Sequence, residues 1–226
     1  MKIVAIIQAR IGSTRLPFKM MLSLHGDPVI KWVVHRVRKS RLIDDIIVAI
    51  PISEENDILE KYLQKLKVKV YRGSESNVLS RFVEASDSIN ASHIVRVCAD
   101  NPLVDGVEID NLINFYQNNS CDYAYNNIPK NNNYPDGLGA EILSFELLKK
   151  VEDEVTQQHH KEHCLSYVTD NVDKFNIQTF NVSDKDIAKP NLRFDIDTFD
   201  DYYKLSMKEI NIDITSKKLI QICEET

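Results

Sequence analysis

The fold of this chain is decided by the stretch Ile3-Val4-Ala5-Ile6-Ile7-Gln8-Ala9-Arg10-Ile11-Gly12-Ser13-Thr14-Arg15-Leu16-Pro17-Phe18-Lys19. The apolar run at residues 3–7 predicts a buried β-strand, and the polar loop after it carries three cations and two hydroxyl groups. Ligands of open α/β folds bind at the carboxyl ends of strands. Because guanidinium groups grip phosphate oxygens in pairs and lysine adds a movable charge, the pattern predicts a polyanion site, suited to a triphosphate.

This loop differs from the better-known phosphate-binding loops. Gly12 is its only glycine, whereas a Walker loop needs two glycines followed by Lys-Ser or Lys-Thr, and the dinucleotide fingerprint needs three glycines. NAD or FAD binding is therefore not expected. A solvated surface loop is the alternative interpretation, but three cations directly after the first strand favour a ligand site.

Size and composition indicate the broad class of protein. The 226 residues, 43% of them apolar, suffice for a core that needs no disulfide or structural metal. The net charge of −6 gives no electrostatic basis for nucleic acid or a membrane as a partner. Four widely spaced cysteines without a C-x-x-C pair are typical of a reducing compartment. We expect a cytoplasmic protein, because the first strand leaves no space for a signal peptide and no apolar run approaches transmembrane length.

Apolar runs alternate with amphipathic helical patterns through the first half of the chain. The expected strands are at 3–7, 46–49, 68–71 and 94–98, and the expected helices at 29–39, 56–66, 78–90 and 107–117. This alternation predicts an α/β, Rossmann-like fold, with a mostly parallel sheet and helices on both faces. Later elements are expected at 123–125 and 175–182 (strands) and at 144–152, 157–171, 200–210 and 215–224 (helices). We interpret 1–226 as one domain, with an inserted arm, lid or dimerisation segment at about 121–171.

Acidic residues mark a candidate metal site. Asp100 follows the strand at 94–98 and projects from the carboxyl edge of the sheet, where it would hold Mg²⁺ or, alternatively, cap the next turn. Asp195 and Asp197 alternate along an extended segment, so both side chains lie on one side. Helix capping explains the threonine and acids that follow, but not this pair.

Two further motifs allow two interpretations each. Arg72 and Ser74 precede a helix near residue 77, and they would face a nucleotide at its N-terminus or belong to an ordinary capped helix. The run His159-His160-Lys161-Glu162-His163 matches the H-x-x-E-H zinc peptidase pattern. A polar helix face is the alternative, and it is favoured because a bare motif matches easily by accident.

Several motifs follow one another in a fixed order over about residues 1–205. They are Gln8-Ala9-Arg10, Ser13, Arg15-Leu16-Pro17, Lys19, Arg72-Gly73-Ser74, Val78-Leu79, Arg81, Ala99-Asp100-Asn101-Pro102-Leu103, Tyr134-Pro135-Asp136-Gly137, Glu141, Glu162-His163 and Asp195-Ile196-Asp197-Thr198. In these motifs the chain resembles the cytidylyltransferases of the CMP-sialate and CMP-Kdo synthetase type, especially the spore-coat polysaccharide branch. Phe18 departs from the pattern, which usually has glycine there, and Phe199 replaces a usual proline.

The resemblance implies a GT-A-like fold and transfer of CMP from CTP to an acidic sugar or related acceptor, with Mg²⁺ as cofactor, pyrophosphate as product and a homodimer as assembly. The implied catalytic residues are Arg10, Lys19, Asp100 and Asp197. The implied nucleotide contacts are Gln8, Ala9, Arg10, Gly12, Ser13, Arg15, Lys19, Arg72, Ser74 and Ala99. The implied metal ligands are Asp100 and Asp197, joined by Asp195, and the implied acceptor residues are Asp136, Glu141, Glu162 and His163.

Other functions remain open on the sequence. A sugar-1-phosphate or phosphonate nucleotidyltransferase using another nucleoside triphosphate would share these motifs. A GT-A glycosyltransferase would normally show D-x-D at the end of the metal strand, where Asp100-Asn101-Pro102 stands, although Asp195-Ile196-Asp197 matches that pattern later in the chain. A non-catalytic nucleotide sensor would not need the acidic pair. The phosphorylated or carboxylated nature of the acceptor is not decided.

Overall fold

The first strand lies at the centre of a seven-stranded sheet in the computed structural model, which describes residues 1–225. The strands are β1 (Ile3–Gln8), β2 (Ser23–Leu24), β3 (Asp27–Pro28), β4 (Asp45–Pro51), β5 (Lys69–Gly73), β6 (His93–Cys98), β7 (Tyr123–Tyr125), β8 (Glu141–Ser144) and β9 (Ile177–Thr179). The helices are α1 (Val29–Val37), α2 (Asp57–Lys65), α3 (Val78–Ser88), α4 (Gly106–Asn118), α5 (Phe145–Glu154), α6 (Gln158–Glu162), α7 (Ser166–Asp170), α8 (Phe199–Ser206) and α9 (Ser216–Glu224). Two 3-10 helices lie at Lys19–Met21 and Glu54–Asn56.

The strand order of the large sheet is β5-β4-β1-β6-β8-β7-β9. The first four of these strands are parallel, and β8 runs antiparallel to both β6 and β7. The last residue of β1, Gln8, pairs with Cys98 at the end of β6. The loops that leave β1 and β6 therefore start side by side, which places the cationic loop next to Asp100.

Apolar side chains of β1 alternate between the two faces of the sheet, as a strand requires. Ile3, Ala5 and Ile7 belong to a cluster with residues of α1, α2 and α4, whereas Val4 and Ile6 pack with α3 and α5. Both faces of the sheet are thus covered by helices, which is the arrangement that parallel sheets need. The predicted α/β fold is confirmed.

Residues 121–171 contribute two strands to the central sheet. β7 and β8 continue the sheet beyond β6, and α5 packs against α3. β8 has no counterpart among the predicted strands. The role of this segment as a lid or dimerisation element, and the homodimer itself, stay predictions.

Two predicted elements differ from the structure. The helix expected at 157–171 is divided into α6 and α7, because the chain leaves the helical conformation at His163 and turns Cys164 and Leu165 into the core. The strand expected at 175–182 is shortened to β9, since only the three residues of β7 are available to pair with it. Within residues 1–225, the helices are all too short or too polar to cross a bilayer.

Candidate functional site

A sharp bend in the loop after β1 positions Lys19. Phe18 has a left-handed backbone with φ +59° and starts the 3-10 helix that carries Lys19. This is the conformation that glycine adopts without steric cost, which explains why the pattern usually has glycine here. The bend turns the lysine side chain from solvent toward the carboxyl edge of the sheet, where it is only 12% exposed.

The ammonium group of Lys19 joins two aspartates that are distant in the chain. It lies 3.1 Å from Asp100 Oδ2 and 3.3 Å from Asp197 Oδ1, and it donates to the backbone carbonyl of Ile196 at 2.9 Å. Both carboxylates are partly buried. The structure therefore brings Lys19, Asp100 and Asp197 to one point, where both carboxylates contact the same ammonium group.

Backbone hydrogen bonds hold the segment that contains Asp197 against this edge. The amide of Ile196 donates to the carbonyl of Asp100 at 2.7 Å, and the amide of Phe194 donates to the carbonyl of Asp136 at 3.0 Å. Three parts of the chain are thus fixed side by side. The position of Asp197 relative to Asp100 is set by the main chain and does not depend on the lysine alone.

Negative charge accumulates at this edge of the sheet. Burial raises the pKa of Asp136 to about 6, and Asp195 raises it further, with smaller contributions from Asp100 and Asp197 that Arg193 opposes. Carboxylates that lie this close to one another favour a cation between them. The residues present are oxygen donors, which is the donor type that Mg²⁺ prefers.

Two arginines contact the acidic segment from the solvent side. The Arg193 guanidinium holds both carboxylate oxygens of Asp195 and approaches Asp197 Oδ2 at 3.4 Å. Arg15 lies 3.1 Å from Asp197 Oδ1, and its side chain is exposed. Asp195 is therefore engaged by an arginine, whereas Asp197 is shared between arginines and Lys19.

A cleft of about 440 Å³ opens above this edge and is bounded by most of the predicted nucleotide residues. The residues of the predicted site that line it are Gln8, Ala9, Arg10, Gly12, Ser13, Arg15, Lys19, Ala99, Asp100, Glu162, His163 and Asp197. The structure thus gathers the cationic loop, the end of β6 and the segment after residue 195 around one space.

The expected positions of Arg72 and Ser74 are corrected by the structure, because neither lines this cleft. The Arg72 guanidinium lies 2.6 Å from carboxylates of both Asp57 and Glu60, and it also donates to two backbone carbonyls. The hydroxyl of Ser74 accepts from the amide of Asn77. Arg72 thus fastens α2 to β5, and Ser74 serves the turn before α3.

Arg81 lines the cleft, although no role is predicted for it from the sequence. Its side chain is 1% exposed, it donates to the carbonyl of Ser74, and its Nε has no partner among the described residues. Burial lowers its pKa, and the charge of Arg10 also lowers it. The signal that would have identified it is an arginine on the apolar face of a predicted helix, because a buried charge is costly unless it binds a partner or a ligand.

A second cavity of about 780 Å³ adjoins the cleft. Arg96 and His163 line both spaces, so the two cavities meet at these residues. Among the predicted acceptor residues, Glu141 and His163 line this cavity, whereas Glu162 lines only the smaller cleft. Asp136 lines neither space, because its main chain pairs with that of Arg193, and its expected position is corrected accordingly.

The histidine run does not form the arrangement that the zinc peptidase pattern requires. In the described part of the chain, the group within reach of one metal ion is His159, His160 and Asp170. Glu162 instead accepts a hydrogen bond from the neighbouring helix residue Gln158 at 2.9 Å, and His163 lies between the two cavities. The polar helix interpretation describes this run better.

A cleft lined by cations with paired aspartates beside a second cavity agrees with the comparison to known proteins. The family model described as cytidylyltransferase matches residues 4–224. The chain belongs to the cytidylyltransferase family. The resemblance inferred from the motifs is therefore confirmed.

Named relatives of this family extend the comparison. The chain is 34% identical to the spore coat polysaccharide biosynthesis protein SpsF of Bacillus subtilis, over 88% of this chain and 83% of that protein. It is 36% identical to 3-deoxy-manno-octulosonate cytidylyltransferase of Bdellovibrio bacteriovorus, over 50% of this chain and 44% of that protein. A cytidylyltransferase structure from Leptospira borgpetersenii superposes with a TM-score of 0.90 at 26% identity, covering 100% of this chain and 94% of that one.

Proposed function

We propose that this protein transfers CMP from CTP to an acidic sugar, with release of pyrophosphate, in the synthesis of a cell-surface polysaccharide or glycoconjugate. The observation that carries the proposal is the meeting of Lys19, Asp100 and Asp197 in a cleft that adjoins a second cavity. The names of two relatives support it, since one refers to polysaccharide biosynthesis and the other to a sugar acid.

The triphosphate of CTP would lie in the smaller cleft. Arg10, Arg15, Lys19 and the buried Arg81 line that space. Arginines bind phosphate oxygens in pairs, and a partly buried cation acts more strongly because water screens it less. These side chains provide local positive charge on a protein whose net charge is −6. They would also stabilise the pyrophosphate that leaves.

Asp100 and Asp197 would hold Mg²⁺. Their carboxylates converge on the ammonium of Lys19 in this structure, so both side chains can reach one cation; their charges also add, after burial and Asp195, to the raised pKa of nearby Asp136. Bound Mg²⁺ would neutralise phosphate charge in the reaction. Asp195 would join only by leaving Arg193, so it stays the weaker candidate.

The reaction joins an acceptor oxygen to the α-phosphorus of CTP and breaks the bond from that phosphorus to pyrophosphate. Two negatively charged molecules must meet, so the protein acts mainly by positioning them and by neutralising charge. The meeting of the two cavities at Arg96 and His163 supports this geometry, because the acceptor would approach the nucleotide from the larger space. Lys19 and Arg15 would exchange their contacts with Asp197 for contacts with phosphate oxygens.

The test is release of pyrophosphate from CTP, and from other nucleoside triphosphates, with a panel of sugar acids and sugar phosphates. We expect Asp100→Asn to lower turnover about a hundredfold or more without a change in fold, by analogy with the loss of one electrostatic group. The exposed Asp87→Asn variant is the matched control. Near-normal turnover of Asp100→Asn would overturn the proposed metal role.

A second variant tests the loop. Lys19→Ala is expected to weaken CTP binding and to lower turnover together, because the ammonium would contact phosphate in both states. Lys61→Ala removes an equal charge from an exposed position of α2 and serves as control. If Lys19→Ala changed only the affinity for the acceptor, the assignment of this loop to phosphate would be wrong.

A further inference from the structure

Arg96 lies where the two cavities meet. It is one of the two residues that line both spaces, and it belongs to β6, the strand that leads to Asp100. Its side chain is 19% exposed, so most of its charge is withdrawn from water. A group in this position would contact whichever part of the acceptor lies nearest the nucleotide.

Glu141 holds the guanidinium of Arg96 in place, and Tyr123 in turn holds Glu141. One terminal nitrogen donates to Glu141 Oε2, and the hydroxyl of Tyr123 donates to Glu141 Oε1 at 2.5 Å. Burial raises the pKa of Tyr123, and the charge of Glu141 raises it further, so the phenol keeps the proton that it donates. Each carboxylate oxygen of Glu141 thus accepts one hydrogen bond, which indicates that this carboxylate orients Arg96.

The guanidinium retains unused donors. Its second terminal nitrogen makes a long contact of 3.4 Å with Gln8 Oε1, and its buried Nε has no partner among the described residues. A guanidinium carries five N–H donors in a rigid fork. The spare N–H groups of Arg96 can therefore donate to one more anionic group without loss of the bond to Glu141.

The charges around the larger cavity also favour an anionic ligand. Its charged lining residues are Arg96, Lys130 and Glu141, and no ion pair of Lys130 is found within residues 1–225. Together, Arg96, Lys130 and Glu141 carry one net positive charge. A single negative charge on the bound molecule would balance it, as a carboxylate provides and a phosphate dianion exceeds.

We propose that Arg96 binds the carboxylate of the acceptor at the junction of the two cavities, and that Glu141 and Tyr123 are positioning residues that hold it there. The proposal rests on the proposed function. It changes the role expected for Glu141, which would act on the acceptor through Arg96 and not by direct contact.

The test compares 3-deoxy-manno-octulosonate with its carboxamide, which has the same shape but no negative charge. Binding of each is measured by calorimetry in the presence of Mg²⁺ and a non-hydrolysable CTP analogue, and binding of the analogue is measured separately. We expect the wild-type protein to bind the acid at least about tenfold more tightly, the effect of one hydrogen-bonded charge. Arg96→Met should remove that preference and weaken binding of the nucleotide analogue far less than binding of the acid, because its contact with Gln8 on the nucleotide side is long.

Further variants separate binding from a general structural effect. Arg96→Lys should recover part of the preference, while Glu141→Gln and Tyr123→Phe should raise the acceptor KM more than they lower kcat. Arg38→Met, which removes an exposed arginine at the end of α1, is the control. A preference for the acid that survives in Arg96→Met overturns the proposal, as does an equal loss of carboxamide binding or of nucleotide binding.

Different results would contradict the proposed function and the role of Arg96. If the wild-type protein binds CTP but releases pyrophosphate with no acceptor of the panel, the proposed function is wrong. If it transfers CMP only to sugar phosphates, or to sugar acids with no dependence on Arg96, the function stands and this inference is wrong.

Discussion

Glycine and alanine at position 18 would separate the effect of the backbone from that of the side chain. Phe18 has φ +59° and ψ +18°, which is the left-handed region, and its side chain is 51% exposed. Phe18→Gly and Phe18→Ala both remove the ring and lose the same packing. They differ in the Cβ atom alone, and that atom makes the left-handed conformation unfavourable.

The size of the difference follows from two opposing effects. The left-handed conformation costs a residue with a Cβ about 1–2 kcal/mol, which glycine avoids. Glycine loses more backbone entropy on folding, at a cost of roughly 0.5–1 kcal/mol relative to alanine. We therefore expect Phe18→Gly to exceed Phe18→Ala by about 1 kcal/mol in free energy of unfolding, or roughly 2–4 °C in Tm for a chain of this length.

Urea unfolding followed by circular dichroism measures this difference. The same pair of substitutions at Lys61, an exposed position inside α2, is the control. In a right-handed helix the order reverses, and alanine should be the more stable by about 1 kcal/mol. Equal or greater stability of Phe18→Ala would refute a left-handed bend before Lys19, and with it the account of how the lysine reaches the aspartates.

Two further substitutions test the packing of buried parts of the fold. Gly139→Ala should lower the free energy of unfolding by about 1–3 kcal/mol, because its Cβ would lie 2.3 Å from the carbonyl oxygen of Asn126; unchanged stability in urea would contradict that close approach. Arg36→Met should cost about 3 kcal/mol, since the 2%-exposed guanidinium donates to three backbone carbonyls that would lose their partner. Thermal unfolding measures this loss of stability, and a Tm equal to that of the wild-type protein would show that those carbonyls find other donors.

The first half of the fold could be predicted because its strands are short, apolar and separated by helical patterns. The same regularity located the ends of β1 and β6, and parallel strands end at one edge of a sheet. The proximity of Lys19 to Asp100 follows from that rule. The alternation along residues 195–197 further placed both acids on one side, and both do contact Arg193.

The direction of long side chains could not be predicted from the sequence. Arg72 has the right position for a nucleotide contact, but two acids one helical turn apart on α2 capture its guanidinium. Arg81 is the reverse case: it lies on an apolar helix face, where no ligand contact is expected, and yet it lines the cleft. β8 is not predicted from the sequence because it is short and begins with a charged residue. It also pairs antiparallel to β6, so it is not part of a βαβ pattern that would indicate a strand there.

The contact between Lys19 and Asp197 spans 178 residues of chain. During translation the amino-terminal loop emerges early and waits for its partner until almost the whole domain has been synthesised. Long-range contacts of this kind form late in folding, because the intervening chain must first be ordered. A chain that ends before Asp197 would therefore lack one of the two aspartates that we propose hold the cation, and Lys19 would keep only its contact with Asp100.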